Sequence, residues 1–88
     1  MATHTAVTDS EVLARLQDIF DDVFLEEVVV RRDLSAKDVK EWDSLVHISL
    51  VAAVEEKFGI RFRVGEVEAT QNVGEFADLI LKRSNGRV

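Results

Sequence analysis

The chain contains no cysteine and no proline, and only 4 of its 88 residues are glycine. The absence of cysteine excludes disulfides and thiolate metal sites, and it favours a cytosolic protein, so we expect a cytoplasmic location. With so few residues that break regular structure, the sequence shows no linker, internal repeat or low-complexity segment. We therefore expect one small domain built around a single core.

Long apolar runs and excess positive charge are missing as well. No stretch approaches the roughly 20 apolar residues of a membrane-spanning helix, and residues 1–7 lack the basic start and apolar block of a signal peptide. Acidic residues outnumber basic ones by 17 to 11, which gives a formal net charge of −6. This balance argues against nucleic-acid backbone binding and favours basic protein partners. We expect a monomer with neither a nucleic-acid nor a membrane partner.

The residues that are present predict a first helix after Thr8 and a last helix after Asn72. Thr8 with Glu11, and Asn72 with Glu75, have the spacing of a capping box. Apolar residues then recur at three- and four-residue steps, as expected for helices with one buried face. The positions that we expect to be buried are Val12, Leu16, Ile19 and Val23 in the first helix and Val73, Phe76, Ala77 and Ile80 in the last.

A middle helix is predicted to begin at Asp43 or Ser44 and to end at Gly59, a typical C-terminal stop. Val46 and Leu50 lie off its main apolar stripe and share a second face, four residues apart. Two aliphatic residues on one face suggest a docking patch, with partial burial under the preceding loop as the alternative. The positions that we expect to be buried are Leu45, Ile48, Val51, Ala52, Val54 and Phe58.

Residues 25–41 predict a long loop, because the β-branched run 28–30 has no second strand to pair with. One or two of these valines and Leu34 are expected to hold the loop on the body. Ser35 is expected to cap a short helical turn that ends at Asp38.

After the middle helix, residues 60–64 alternate apolar and basic side chains and predict an extended connector with Ile60 and Phe62 turned inward. Residues 65–69 predict a short helix that places Val67 on the core. The fold class is therefore all-α: a small bundle of three main helices and one short helix, with a long first loop. We expect the domain at 8–83 and flexible tails at 1–7 and 84–88.

Ser44 is the candidate functional residue. A hydroxyl in the first turn of a helix lies at the positive end of the helix dipole, where an attached phosphate is favourably placed. Asp43 would cap the helix, and Leu45 would anchor the turn so that Ser44 faces outward. On capping alone, Asp-Ser is also an ordinary helix start.

His47 lies three residues after Ser44, so a serine nucleophile with a histidine base is geometrically conceivable. A glycine-flanked nucleophile turn and an evident oxyanion hole are missing, which argues against a hydrolase. The only other histidine is His4, so we expect no metal site.

Asp43-Ser44-Leu45, the helix that leads to Phe58-Gly59-Ile60, and the segment 72–76 resemble the acyl carrier protein family over about residues 12–81. The resemblance implies that Ser44 receives 4′-phosphopantetheine from coenzyme A, attached by a separate, magnesium-using phosphopantetheinyl transferase. The thiol of this arm would carry acyl groups as thioesters between acyl-loading and acyl-processing enzymes. The domain would then be a carrier and not an enzyme.

Two departures from the fatty-acid carriers bear on the pathway. Those carriers usually place acids along the exposed face of the second helix, where this chain has Val46 and Ser49, and Trp42 replaces a usual small residue. With His47, this pattern resembles discrete carriers of polyketide or other specialised pathways. Fatty acid carriage, aminoacyl or peptidyl carriage, and an unmodified interaction protein remain alternatives. Trp42 would either shelter the arm or a partner, or pack the long loop. The expected docking residues are Trp42, Val46, His47, Leu50, Glu55 and Glu56.

Overall fold

A computed structural model describes residues 8–85, and in this range the chain forms three α-helices. α1 spans Asp9–Val23, α2 spans Ser44–Phe58 and α3 spans Val73–Asn85. A 3₁₀ turn at Ala36–Asp38 lies in the long loop between α1 and α2, and no strand occurs in the described part of the chain. The predicted all-α bundle with a long first loop is confirmed.

α1 is the helix against which the other two pack. It begins where predicted, because Thr8 Oγ1 accepts a hydrogen bond of 3.2 Å from the backbone N–H of Glu11. The predicted positions Val12, Leu16 and Ile19 are buried, and Phe20 joins them in the core. The fourth predicted position, Val23, is half-buried against this core. The amphipathic pattern of this helix therefore identified its buried face correctly.

α3 also begins at its predicted cap. Asn72 Oδ1 accepts a hydrogen bond of 2.8 Å from the backbone N–H of Glu75. The Glu75 carboxylate accepts in return from the N–H of Gln71 at 2.9 Å, one residue earlier than a capping box has it. All four predicted core positions of this helix are buried.

α3 continues to Asn85, past the expected boundary at residue 83. Residues 1–7 and 86–88, on which the predicted tails fall, lie outside the described residues.

The long loop is held on the body at several points, as expected. Val28, Leu34 and Val39 are buried. The side-chain amide of Gln17 donates to the Val28 carbonyl at 2.8 Å and accepts from the Val30 N–H at 2.9 Å. These contacts satisfy backbone groups that a strand partner would otherwise have to satisfy.

The loop is also joined to the start of α3. The carbonyls of Leu34 and Arg32 accept from the N–H groups of Val73 and Gly74 at 2.7 and 2.8 Å. A Cβ at Gly74 would lie 3.0 Å from the Arg32 carbonyl oxygen, so a larger residue would crowd the loop and glycine permits this close approach. Two of the unpaired N–H groups at the start of the helix are thus satisfied by the loop.

The connector after α2 is extended, with Ile60 buried and Phe62 packed on Phe76 at 5.8 Å between ring centroids. The predicted short helix at residues 65–69 is wrong, because this segment forms only turns. One hydrogen bond with helical spacing, from Ala69 N to the Gly65 carbonyl, is too little to propagate a helix. Val67 is nevertheless buried in the core, as expected.

The predicted buried face of α2 is correct at Val54 but wrong at Leu45, Ile48 and Ala52, which are exposed. Leu50 is fully buried at 0% exposure, whereas Leu45 and Ile48 are 75% and 65% exposed. Val46 is half-buried and packs against the core, and Val54 is fully buried. Because α2 carries apolar residues on more than one side, its sequence contains two competing apolar stripes. The stripe with four-residue spacing, at positions 46, 50 and 54, is the one that packs into the core. Leu50 is therefore a core residue and not a docking residue.

Candidate functional site

Ser44 is the first residue of α2, and its side chain is exposed. Asp43 is the N-cap: its Oδ1 accepts from the Val46 N–H at 2.9 Å, and its carbonyl accepts from the His47 N–H at 2.8 Å. The hydroxyl therefore lies at the positive end of the helix dipole and open to solvent. The prediction that Leu45 anchors this turn is wrong, because that side chain also points to solvent.

Trp42 fixes the segment that leads into the site. Its ring is half-buried and makes edge contacts with Phe20 and Phe24, at 5.4 and 5.8 Å between ring centroids. Such aromatic contacts contribute about 0.5–1.5 kcal/mol beyond the buried area. Of the two expectations for this residue, the structure shows the packing of the loop on α1.

Glu41 provides a second anchor for the same segment. Its carboxylate accepts from the N–H groups of Leu25 and Glu26, at 2.7 and 3.1 Å. Residues just before Ser44 are thus joined to the chain just after α1, which limits the freedom of the site.

His47 is hydrogen-bonded to Trp42 and not to the serine. Trp42 Nε1 donates to His47 Nδ1 at 3.2 Å, with the two rings stacked at 6.4 Å between centroids. On the other side of the imidazole, Nε2 lies 3.9 Å from Glu68 Oε2. Within residues 8–85 no hydrogen bond joins Ser44 to His47, so the arrangement does not provide a general base for the hydroxyl.

A cavity of about 540 Å³ opens beside Ser44, between the first turns of α2 and the segment before α3. Its apolar wall is formed by Trp42, Ile48, Val67 and Phe76, and its polar lining includes His47 and Glu68. We call this cavity the Ser44 groove. A larger open cavity of about 930 Å³ lies at the other end of α2, beside Glu56 and Lys82, far from the serine.

Two further predicted docking residues, Glu55 and Glu56, differ in their exposure to solvent. Glu55 is half-buried, and its carboxylate accepts from the Phe62 N–H at 2.9 Å, so it holds the connector. Glu56 is exposed. The sequence analysis predicted Leu45 and Ile48 to be buried, and the structure shows them exposed. Assigning positions 46, 50 and 54 to the core would have placed both on the exposed side of the helix. The sequence analysis also missed Glu68, which only the folded chain brings beside His47.

Metal and membrane sites are not found in the described part of the chain. Between residues 8 and 85 no group of three histidine, cysteine, aspartate or glutamate side chains is placed to hold a metal ion. In the same range no helix has the length and apolar character needed to cross a bilayer.

Two comparisons, one with curated proteins and one with solved structures, indicate the same family. No protein-family model matches the chain. An acyl carrier protein of Acidothermus cellulolyticus is 34% identical over 76 residues, which cover 85% of this chain and 90% of that protein. The solution structure of a holo acyl carrier protein from Geobacter metallireducens matches with a TM-score of 0.79 and 38% identity, over 86% of this chain and 88% of that chain. The chain belongs to the acyl carrier protein family.

Proposed function

We propose that this protein carries acyl intermediates as thioesters on a 4′-phosphopantetheine arm attached to Ser44. Acyl carrier proteins are carriers without enzymatic activity, and 4′-phosphopantetheine is their covalent cofactor. The observation that supports Ser44 as the attachment point is its exposed hydroxyl at the first position of α2, behind the Asp43 cap. A phosphodiester at this position is stabilised by the helix dipole.

The surroundings of Ser44 also fit such an arm. The hydroxyl is open to a modifying enzyme, and the Ser44 groove beside it offers space for a flexible chain. Its volume of about 540 Å³ lies within the range of small-molecule sites in proteins. The partners would be a phosphopantetheinyl transferase and the enzymes that load and process the acyl group.

The attachment is tested by intact mass after incubation with coenzyme A and a broad-specificity phosphopantetheinyl transferase. The wild-type chain should gain the mass of one phosphopantetheinyl group, and Ser44→Ala should gain none. Ser49→Ala is the matched control, because Ser49 is an exposed serine on the same helix and its loss should leave modification complete. An unmodified wild-type chain would favour the alternative of an interaction protein and contradict the proposal.

The exposed apolar side of α2 is the proposed docking face for these partners. Leu45 follows the attachment residue directly, and Ile48 lies one helical turn beyond it, so both belong to the side of the helix near the serine. We define the docking face by these two residues. Glu56 is also exposed on this helix, and the chain has a net charge of −6. The docking face therefore suits a partner that has an apolar pocket with basic residues around it.

A polyketide or other specialised pathway is the proposed setting. It is supported by Trp42 before the attachment site and by Val46 and Ser49, where fatty-acid carriers usually have acids. The holo protein should therefore accumulate no long-chain acyl mass with a reconstituted fatty acid elongation system. Accumulation of such species would favour the alternative of fatty acid carriage. The glycine-rich approach typical of aminoacyl and peptidyl carriers is missing before Ser44.

A further inference from the structure

His47 presents a hydrogen-bond donor to the Ser44 groove. The indole N–H of Trp42 can only donate, so His47 Nδ1, which lies 3.2 Å from it, must accept and carries no proton. The ring proton of the neutral imidazole is therefore on Nε2. This second nitrogen points toward Glu68, so the Trp42 contact selects the tautomer that donates into the groove.

Glu68 presents an acceptor to the same place, yet no direct hydrogen bond joins the two groups. Nε2 and the Glu68 oxygen are 3.9 Å apart, beyond the hydrogen-bond range of about 2.7–3.2 Å. Both side chains line the groove beside Ser44. A donor and an acceptor thus face one position without satisfying one another.

The backbone on both sides holds this pair in place. His47 is on α2 and is fixed through Trp42, which packs on α1. Glu68 follows the buried Val67 in a turn that the Thr70 N–H closes on the Val67 carbonyl at 3.0 Å. Fixing the backbone that carries both side chains reduces the entropy that the site loses on binding.

The spacing of the pair selects a hydroxyl group. An oxygen about 2.8 Å from both atoms fits a separation of 3.9 Å, and a hydroxyl can accept from Nε2–H and donate to the carboxylate through that one atom. A trans amide points its N–H and C=O in opposite directions and would need the two groups farther apart. An alkyl chain could hydrogen-bond to neither group, whereas a hydroxyl can bind both.

We propose that His47 and Glu68 bind the secondary hydroxyl of the phosphopantetheine arm and thereby position the arm in the Ser44 groove. This inference rests on the proposed function. The hydroxyl lies in the first carbons beyond the phosphate, and His47 lies three residues after Ser44, where side chains are roughly 5–6 Å apart. The two methyl groups next to this hydroxyl would contact the apolar wall at Trp42 and Ile48.

The test uses the modified protein and NMR contacts between the methyl protons of the arm and the ring protons of Trp42 and His47. We expect these contacts in the wild-type holo protein and their loss in Glu68→Ala. They should also be lost when the arm is attached from a coenzyme A analogue that lacks the secondary hydroxyl. Glu68→Gln keeps an accepting oxygen and should retain them.

Glu27→Ala is the matched control, because it removes the same charge from an exposed residue that lines a different cavity, and the contacts should persist. Equal contacts with and without the arm hydroxyl would show that the hydroxyl does not hold the arm in the groove and would overturn the inference. Their loss in Glu27→Ala would overturn it as well. Intact mass separates the two proposals: no added mass overturns both, whereas full modification without arm contacts overturns only the positioning by His47 and Glu68.

Discussion

At the scale of single residues, Leu45 and Leu50 show how position on one helix decides the role of the same side chain. Leu50 is fully buried and Leu45 is 75% exposed. We expect Leu50→Ala to lower the free energy of unfolding by about 3 kcal/mol, because it removes buried methyl groups and leaves a cavity. Leu45→Ala should change it by no more than about 0.5 kcal/mol. Urea denaturation of the two apo variants measures this difference.

The two variants are matched in chemistry, helix and substitution, so each serves as the control of the other. Equal losses of stability would mean that both leucines contribute to the core and would contradict the assignment of Leu50 to the core and Leu45 to the docking face.

At the scale of elements, the sequence predicted where all three helices begin, but it predicted the buried face of only α1 and α3. Thr8, Asp43 and Asn72 each cap a helix through a backbone N–H only three residues away, so the partner is known from the sequence itself. The buried face of α2 depends on which side meets α1. A helix with apolar residues on more than one side, such as Ser44–Phe58, does not encode that choice by periodicity.

In the candidate site, too, the contacts between residues close in sequence were predictable and those between distant residues were not. Ser44 and Asp43 were predictable because the helix start and the resemblance both identify them. The contact between Trp42 and His47 lies within five residues, but nothing local indicates that Glu68 comes within 3.9 Å of the same imidazole. Contacts between elements depend on the packing of the whole chain, which no local pattern records.

The docking face leads to a prediction for α2 as an element. Leu45→Ser or Ile48→Ser should lower kcat/KM for phosphopantetheinyl transfer about tenfold, which corresponds to a loss of about 1.4 kcal/mol at an interface contact. The stability of the chain should change little, because both side chains are mostly exposed. The measurement is the initial rate of transfer at several carrier concentrations, with urea denaturation in parallel.

Val64→Ser is the matched control for these variants, because Val64 is a fully exposed aliphatic residue on the connector after α2. Its rate should equal that of the wild-type chain. If the Leu45 and Ile48 variants were modified as fast as this control, the transferase would dock elsewhere.

At the scale of the whole molecule, side-chain contacts join segments that are distant in the sequence. Arg32 in the long loop pairs with Asp9 of α1 at 2.7 Å and with Asp78 of α3 at 3.0 Å. Hydrogen bonding to Asp78 raises the pKa of Arg32. Glu66 in the turn before α3 pairs with Arg83 near the end of that helix. Together these contacts fix both loops on the helices, including the turn that carries Glu68.

Glu66 predicts how the stability of the whole chain depends on pH. Its hydrogen bonds from the Arg63 N–H and from the Arg83 guanidinium lower the pKa of Glu66 below its usual 4.5. Because the folded state favours the carboxylate, this contribution to the free energy of unfolding is present above pH 4.5 and is lost as the pH falls through the lowered pKa. Thermal denaturation should therefore show Glu66→Gln less stable than wild type at neutral pH, with the two melting temperatures converging in acid. Glu56→Gln is the control, because it removes one charge from an exposed residue. If the loss of melting temperature in Glu66→Gln stayed constant with pH, the charge of the Glu66 carboxylate would not be what holds the turn.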